Sequence, residues 1–372
     1  MVVPVDRFNE TMLPFPLRPA MLSAYSATNR SPSTTAGSRE LDRTATESRD
    51  WQTQLKTAIR DPHQLCHELR LPASQADAAV RASRHHPLLV PWSYLGRIRN
   101  GDPNDPLLRQ ILPVDEELSD VAGFSSDPVG DNSSKRTAVL LQKYSGRALM
   151  ITAGACAVHC RFCFRRHFAF RDSLAAPAYW QLALDAIAND PLLEEIVLSG
   201  GDPLVLPDHQ LAELLEQLDV IPHLKRVRIH TRLPIMIPQR VTDEFLDRLS
   251  GLRLAAVVVV HSNHPHELDA NVCEALISLV QRGILVFNQS VLLRGVNDDL
   301  ATLAALSQRL LECRVVPYYL HQLDRVAGAA HFEVPTARGR HLIAQLREAL
   351  PGYAVPRYVR EIAGEASKTV LA

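Results

Sequence analysis

Strand-like and helix-like patterns alternate along most of this chain, and that alternation limits the folds open to it. Between Arg147 and Leu350, six short apolar runs are each followed by a longer amphipathic stretch. Strands that alternate with helices form parallel sheets, because a helix must carry the chain back before the next strand can run in the same direction. The sequence therefore predicts an α/β fold with a parallel sheet, open or curled into a partial (β/α)6 barrel. The predicted strands cover 147–152, 195–199, 226–230, 254–260, 285–290 and 315–320, and the predicted helices cover 177–189, 208–218, 243–250, 266–282, 299–312 and 336–350.

The segments before and after this region have different compositions. Residues 1–50 are rich in Ser, Thr, Ala, Pro and Arg without helical or strand periodicity, so we expect a disordered N-terminal extension. They lack the apolar core of about 7–15 residues that a secretory signal needs, which leaves a transit peptide or a later start at Met12 or Met21 open. Residues 51–143 predict a mostly helical, loop-rich region, residues 144–350 hold the partial barrel, and residues 351–372 form a C-terminal segment.

The charge balance limits the partners of this protein. Its 372 residues carry 40 Lys and Arg against 41 Asp and Glu, a formal net charge of −1. Such a chain has no overall field to recruit nucleic acid or an anionic membrane, and it has no apolar stretch of the roughly 20 residues that a membrane helix needs. We expect a cytoplasmic protein that binds neither. Cys66, Cys273 and Cys313 are scattered and are expected to be core thiols in a reducing compartment.

The other three cysteines lie close together, directly after the first predicted strand. Cys156, Cys160 and Cys163 have the spacing Cys-x3-Cys-x2-Cys. A 4Fe-4S cluster normally takes four cysteine thiolates, so three would leave one iron open to a ligand from outside the protein. The alternative is a zinc site completed by His159 or His167, although structural zinc favours four protein ligands.

Polar residues follow each of the six predicted strands. Because the carboxyl ends of parallel strands meet at one edge of a sheet, these residues are expected to surround one site. In the pair Gly200-Gly201, the absence of side chains would let a ligand's amino group approach main-chain carbonyls. The polar groups are the cysteine loop, Ser199-Gly200-Gly201-Asp202-Pro203, His230-Thr231-Arg232, His261-Ser262-Asn263-His264-Pro265, Asn288-Gln289-Ser290 and His321-Gln322-Leu323-Asp324.

The cysteine spacing resembles that of radical S-adenosylmethionine (SAM) enzymes, and four longer motifs narrow the resemblance to the lysine 2,3-aminomutase family. The resemblance runs from about Trp51 to the C-terminus. It implies a fold of the radical SAM type, a 4Fe-4S cluster, SAM and pyridoxal 5′-phosphate as cofactors, and a radical migration of an amino group between neighbouring carbons. The motifs are Cys-Arg-Phe-Cys-Phe-Arg-Arg-His-Phe, Ser-Gly-Gly-Asp-Pro-Leu, Asn-Gln-Ser-Val-Leu-Leu-Arg-Gly-Val-Asn-Asp and Pro-Tyr-Tyr-Leu-His-Gln-Leu-Asp.

The same resemblance implies roles for individual residues. Lys368, which by itself would be taken for a solvated residue near the chain end, matches the lysine that holds pyridoxal phosphate. Arg165 matches the arginine that binds the substrate carboxylate, and the alternative is that Arg161, Arg165 and Arg166 form an ordinary basic surface run. The remaining matches are Cys156, Cys160 and Cys163 for the cluster, Tyr144 and Arg147 for pyridoxal phosphate, Gly200, Gly201, Asp202, His261 and Gln289 for SAM, and Asp324 and Glu361 for the substrate's distal ammonium.

Two acidic residues at the distal end favour a cationic substrate, so the sequence indicates L-lysine rather than glutamate. Glu361 departs from the family's usual aspartate, which keeps the charge and lengthens the side chain. The C-terminal motif around Lys368 resembles that of bacterial enzymes that make (R)-β-lysine for elongation factor P. The resemblance further implies an electron donor such as flavodoxin or ferredoxin, a functional link to the ligase that modifies the factor, and a possible homo-oligomer.

Two other interpretations stay open at this stage. One is a catabolic or osmolyte-producing lysine or glutamate 2,3-aminomutase. The other is a non-catalytic interaction protein in which a metal only staples the cysteine loop, and in which Arg165, Asp324, Glu361 and Lys368 are unrelated surface residues.

Overall fold

The computed structural model of this protein describes residues 50–168 and 177–372. The expected disorder of the N-terminal extension therefore falls, apart from Asp50, outside the described residues. Within them, none of the helices is long and apolar enough to cross a membrane.

A mixed sheet of nine strands, in which seven neighbouring strands run parallel, forms the centre of the described structure. The strands follow one another across the sheet in sequence order, and the α/β prediction is confirmed. Every predicted strand is present, and its bounds lie within two residues of the expected ones. The strands are β1 Leu140–Tyr144, β2 Arg147–Ala153, β3 Glu195–Gly200, β4 Arg226–Thr231, β5 Ala255–His261, β6 Leu285–Leu292, β7 Val316–Gln322, β8 Arg357–Arg360 and β9 Thr369–Val370.

Helices follow the strands in the order that the sequence predicts. Three of them, Asp243–Ser250, Ala270–Gln281 and Leu300–Glu312, begin where Thr242, Asp269 and Asp299 accept a hydrogen bond from a main-chain N–H of the first turn, as good N-cap residues do. The helices are α1 Trp51–Lys56, α2 Pro62–Glu68, α3 Ala73–Ser83, α4 Trp92–Leu95, α5 Pro106–Arg109, α6 Pro177–Ala188, α7 Asp208–Asp219, α8 Leu233–Met236, α9 Asp243–Ser250, α10 Ala270–Gln281, α11 Leu300–Glu312 and α12 Thr336–Ala349.

The two faces of the parallel sheet differ in chemistry. In β4, Val227 and Ile229 are buried in the main core together with helix residues such as Leu214 and Leu246. The residues that alternate with them are polar and only half-buried. We call this second face the polar face, and it carries Arg228, His230, His261, Gln289 and His321. Since successive strand residues point to opposite sides, burying the apolar set under helices presents the polar set on the other side.

The N-terminal helices dock onto the carboxyl-end side of this sheet. Arg97, on the turn after α4, donates hydrogen bonds to the main-chain oxygens of Ile235 at 2.6 Å and Glu267 at 2.5 Å. The indole of Trp92 donates to the oxygen of Thr57 at 3.0 Å, which ties the first helices to one another. This region is thus part of the wall around the strand ends.

The structure extends the sheet beyond the predicted barrel. β1 pairs with β2 antiparallel, β8 adds a parallel strand beside β7, and β9 pairs antiparallel with β8. The C-terminal segment is therefore part of the sheet.

One expectation about the scattered cysteines is wrong. Cys66 is a buried free thiol as predicted, but Cys273 of α10 and Cys313 at the end of α11 form a disulfide, with their Cα atoms 4.7 Å apart. Their 40-residue separation gave no local signal of this pairing, which depends on how the two helices pack.

Candidate active site

The cysteine loop begins directly after β2 and is held by main-chain hydrogen bonds on two sides. On one side, His159 N donates to Leu89 O at 3.2 Å and Arg161 N donates to Gln110 O at 2.9 Å. On the other, the turn after β3 contributes an N–H from Asp202 to Ala155 O at 2.8 Å. The loop is therefore held between the N-terminal region and the turn that follows β3.

The basic run in this loop is buried, so the interpretation as a surface run is wrong. Arg161 donates to both oxygens of Glu117, at 2.8 and 2.5 Å, and Arg166 donates to the same carboxylate at 2.6 Å. The side chains of these three residues have exposures of 0, 1 and 1%. Glu117 lies in the N-terminal region, and nothing in its sequence context marks it as a partner. A buried carboxylate shared by two arginines fixes the loop geometry.

The three thiols lie close enough to affect one another. Burial raises the pKa of Cys163 to about 11, with Cys160 adding to the effect, and burial followed by Cys163 and Asp202 raises the pKa of Cys156 well above its usual value. Neighbouring thiols resist ionising together unless a metal centre neutralises them. The donor set thus fits an iron-sulfur cluster, which would take one thiolate on each of three irons.

The two histidines of the zinc alternative each lie against a main-chain oxygen. His159 Nδ1 lies 2.9 Å from the oxygen of Pro87, and His167 Nε2 lies 2.9 Å from the oxygen of Ala327, so one nitrogen of each ring is engaged by the main chain. Within residues 50–168 and 177–372, no three His, Cys, Asp or Glu side chains are arranged to hold a single metal ion.

Arg232, directly after β4, is a site residue to which no sequence motif assigned a role. Its Nη1 donates to Cys160 Sγ at 2.7 Å, and its Nη2 donates to Gln110 at 2.7 Å and to Glu267 at 3.2 Å. Burial opposes its charge, but Cys160 and Glu267 outweigh burial and raise the pKa of Arg232. This guanidinium connects the cysteine loop to Gln110 of the N-terminal region and to Glu267, which follows β5.

The Gly200-Gly201 turn packs directly against the cysteine loop. Gly201 N donates to Ala153 O at 2.7 Å, and a Cβ on Gly201 would lie only 2.1 Å from Ala155 O. Gly200 has φ +122°, which side chains disfavour. These glycines are needed for the close approach of two chain segments, apart from any ligand contact.

The carboxylate of Asp202 is used by the fold. It accepts hydrogen bonds from the Thr231 hydroxyl at 2.7 Å and from the main-chain N–H groups of Leu204, Arg232 and Leu233 at 2.7–3.0 Å. Four donors fill the usual acceptor positions of a carboxylate. A ligand contact at this turn would therefore fall to the main chain.

The other two residues matched to SAM lie side by side on the polar face. The register of β5 and β6 pairs His261 with Gln289. His261 Nε2 is buried without a hydrogen-bond partner among the described residues, and burial lowers the pKa of the ring to about 3. A neutral imidazole with a free nitrogen fits a polar ligand that binds across these strand ends.

Lys368 is inside the site, although it lies four residues from the chain end. It forms an ion pair with Glu361, whose other oxygen accepts from the Tyr144 hydroxyl at 2.5 Å. Burial alone would raise the pKa of Glu361, but Lys368, Tyr144 and Lys143 together lower it. The solvated-lysine interpretation is therefore wrong.

Asp324 follows β7 in the same neighbourhood. Burial raises its pKa to about 7, and Glu361 adds to the rise, while Lys368 and Lys143 oppose it. Two carboxyl groups near one lysine make an acceptor site for a cation, with one partner ionised and the other near its midpoint at neutral pH.

Arg165 belongs to a chain of alternating charges that leads to these acids. Its Nε donates to Asp131 at 2.7 Å, Asp131 also contacts Lys143 at 2.7 Å, and Lys143 lies 3.8 Å from Glu361. Ser199 accepts a further bond from Arg165 at 3.1 Å. Asp131 and Lys143 had no motif to mark them. The two ends that the sequence matched to substrate binding are thus physically connected.

The residues matched to pyridoxal phosphate sit at the edge of this network. Tyr144 ends β1, and the Arg147 guanidinium lies 4.4 Å from the centre of its ring. With Lys368 on the other side of Glu361, these residues offer an aromatic surface, a cation and an amine, which fits an anionic aromatic aldehyde such as pyridoxal phosphate.

Several known proteins resemble this chain in sequence or in structure. The Radical SAM superfamily matches residues 150–306. The L-lysine 2,3-aminomutase of Haemophilus influenzae is 44% identical over 326 residues, which cover 88% of this chain and 96% of that enzyme. The Escherichia coli L-lysine 2,3-aminomutase is 45% identical over 323 residues, covering 87% and 94%. Among solved structures, Streptococcus suis SuiB bound to S-adenosylmethionine aligns with a TM-score of 0.45 and 15% identity over 59% of this chain and 51% of that one.

Proposed function

This chain belongs to the lysine 2,3-aminomutase family of radical SAM enzymes, and from that premise we propose that it converts L-lysine to β-lysine with pyridoxal phosphate as an additional cofactor. The observation that carries the proposal is the meeting of Lys368, Glu361 and Asp324 at the strand ends that also hold the cysteine loop. The non-catalytic interpretation treats these residues as unrelated, whereas Lys368 pairs with Glu361 and its charge acts on Asp324.

Charge complementarity supports lysine as the substrate. Arg165 is a planar donor suited to bidentate binding of a carboxylate, and Asp131 keeps its guanidinium oriented. At the other end of this row of alternating charges, Glu361 and Asp324 suit the distal ammonium of lysine. A glutamate side chain would place a third negative charge there, and repulsion of like charges would exclude it.

The ion pair of Lys368 with Glu361 also suggests an order of events. While the lysine amine is free, it occupies the carboxylate proposed for the substrate. Once that amine is joined to pyridoxal phosphate, Glu361 is left to bind the ammonium of the incoming lysine. The negative charge of Glu361 thus keeps the Lys368 side chain in place before the substrate arrives.

The chemistry itself is divided between the cofactors and the chain. When bound, the cluster with SAM supplies a radical that abstracts hydrogen, and pyridoxal phosphate supplies a π system that stabilises an unpaired electron during nitrogen migration. The chain's own residues bind and orient the substrate. The ion pairs of Asp131 and Glu361 hold Arg165 and Lys368 in fixed positions for this binding.

We further propose that the product is (R)-β-lysine destined for a ligase that modifies elongation factor P. The C-terminal sequence around Lys368 supports this route over a catabolic or osmolyte role. Electrons for the cluster would come from a flavodoxin or ferredoxin.

Anaerobic turnover tests the proposal. The full chain is reconstituted with iron and sulfide, given pyridoxal phosphate, SAM, a reductant and either L-lysine or L-glutamate, and the products are separated by chiral chromatography. We expect (R)-β-lysine from lysine and no product from glutamate. The (S) enantiomer would refute the elongation factor route, and absence of β-lysine from a fully loaded protein would refute the lysine assignment.

A further inference from the structure

The polar face carries two histidines to which no role has been given so far. His230 lies on β4 and His321 on β7, and the Nε2 atom of each ring is closed to solvent and has no hydrogen-bond partner among the described residues. A buried polar atom left unpaired costs about 1–3 kcal/mol, so such atoms are rare unless a ligand or water satisfies them. Two of them on one face mark a place where a bound ligand or an ordered water would supply the missing polar partner.

Both rings belong to the neighbourhood of Lys368. Burial is the largest cause that lowers the pKa of each histidine, and the charge of Lys368 lowers both further, with Arg228 and Arg165 also acting on His230. Both rings are therefore neutral at physiological pH, and each offers one N–H donor and one acceptor without charge.

Among the cofactors of the proposed function, pyridoxal phosphate has a polar atom that fits this place. Its phenolic oxygen is attached to the ring carbon beside the one that bears the aldehyde, so it is the polar ring substituent closest to a lysine amine that reacts there. The phosphate is a dianion on the other side of the aldehyde and suits an arginine such as Arg147 better than a neutral imidazole.

We propose that His230 and His321 hydrogen-bond the phenolic oxygen of pyridoxal phosphate held at Lys368. This inference rests on the proposed function, because it requires that cofactor at that lysine. The two rings would fix the plane of the cofactor between β4 and β7 and polarise its ring through the oxygen. The Nε2 atoms of both rings, which have no partner among the described residues, would then be paired in the enzyme that holds the cofactor.

The test uses the full chain with its cluster but without SAM, so that no turnover occurs. The protein is titrated with pyridoxal phosphate and reduced with borohydride, and the modified fraction of Lys368 is measured by mass spectrometry. Difference absorbance spectra record the band of the bound cofactor. His230→Ala and His321→Ala are compared with His209→Ala, which removes an exposed histidine of α7.

We expect each of the two buried-histidine variants to need about 10-fold more pyridoxal phosphate for half-saturation and to shift the cofactor band, because a hydrogen bond to an ionised oxygen is lost. His209→Ala should match the unmodified chain. His230→Gln and His321→Gln keep a donor and should recover part of the affinity, and thermal unfolding verifies that every variant is folded.

Wild-type affinity and an unshifted band in folded His230→Ala and His321→Ala would overturn the inference while leaving the proposed function intact. Failure of the unmodified chain to be labelled at Lys368 would instead overturn the cofactor assignment on which the inference depends.

Discussion

Glu361 and Lys368 face each other across the hairpin of β8 and β9. The register pairs Arg360 with Thr369, so the next residue on each side lies directly opposite the other, and the two side chains form an ion pair. Opposite charges at facing positions stabilise such a hairpin. The position of the lysine in the site is therefore set by strand pairing rather than by its distance from the chain end.

Replacing this lysine should separate cofactor attachment from folding. We expect Lys368→Ala to abolish borohydride-stable labelling by pyridoxal phosphate and to lower β-lysine formation by at least about 10³-fold, since a covalent attachment point has no substitute. Mass spectrometry and product chromatography measure the two effects. Lys56→Ala, at the exposed end of α1, is the control and should behave as the unmodified chain. Normal labelling of Lys368→Ala would show that another residue holds the cofactor.

Asp131 pairs with both Arg165 and Lys143, so replacing it should lower both the affinity for the substrate and the stability of the fold. Asp131→Asn leaves Arg165 and Lys143 without their shared carboxylate, and removing one partner of a buried ion pair costs about 3–5 kcal/mol. We expect the free energy of unfolding to fall by this order and the KM for lysine to rise at least roughly 10-fold, because Arg165 loses its orientation. Denaturant unfolding and steady-state kinetics measure these changes. Asp120→Asn, at an exposed position nearby, should change neither.

Glu117 allows a test of how the cysteine loop is held, with its own neighbour as a matched control. Glu117→Gln leaves Arg161 and Arg166 buried without a counter-charge, so we expect a loss of about 3–5 kcal/mol in unfolding free energy and less iron bound after reconstitution. Glu116→Gln changes the same residue type one position earlier on the exposed side of the turn and should have little effect. Full iron content and stability in Glu117→Gln would show that main-chain bonds alone hold the loop.

The close approach of the glycine turn predicts a steric effect. Gly201→Ala places a Cβ 2.1 Å from the oxygen of Ala155, and the backbone must move to relieve this overlap. Overpacking of this kind costs roughly 1–3 kcal/mol or more, and the cysteine loop is the part that must shift. We expect a lower melting temperature and a reduced cluster content, measured by calorimetry and iron analysis. Gly352→Ala, which adds a Cβ in open space, should be neutral.

The sequence predicted the parts of this structure that depend on local patterns. The apolar runs placed β2 to β7 within two residues of their bounds, because burial against helices selects the alternation on each strand. The cysteine spacing and the Gly-Gly turn were found because their residues are close along the chain. The short strands β1, β8 and β9 were missed, since two to five residues carry too little periodicity.

Residues that act through distant partners could not be found in the same way. Glu117, Asp131 and Lys143 lie in the loop-rich region and early strand before the barrel, and their partners are set by tertiary packing. The arginines of the basic run were identified as charges, but their burial depends on acids 34–49 residues away. The disulfide of Cys273 and Cys313 belongs to the same class of long-range contact.

The pKa of Asp324 predicts how lysine binding depends on pH. Burial, with help from Glu361, raises that pKa to about 7, and only the ionised carboxylate attracts the substrate ammonium. Lys368, Tyr144 and Lys143 lower the pKa of Glu361, so Glu361 stays ionised and does not titrate in this range. The affinity for lysine should therefore weaken by up to about 10-fold for each unit of pH below 7 and level off above it. Calorimetric titration of the SAM-free protein from pH 6 to pH 8 measures this slope, which Asp324→Asn should remove.

The same group affects stability with the opposite pH dependence. Because its folded pKa is raised from 3.8, the folded state binds more protons than the unfolded state between that value and about 7, and the contribution of Asp324 to stability falls as pH rises through this range. Asp324→Asn should therefore be more stable than the unmodified chain at pH 8 while binding lysine more weakly. A variant that lost both stability and affinity at pH 8 would show that the carboxylate has a structural partner instead of a substrate role.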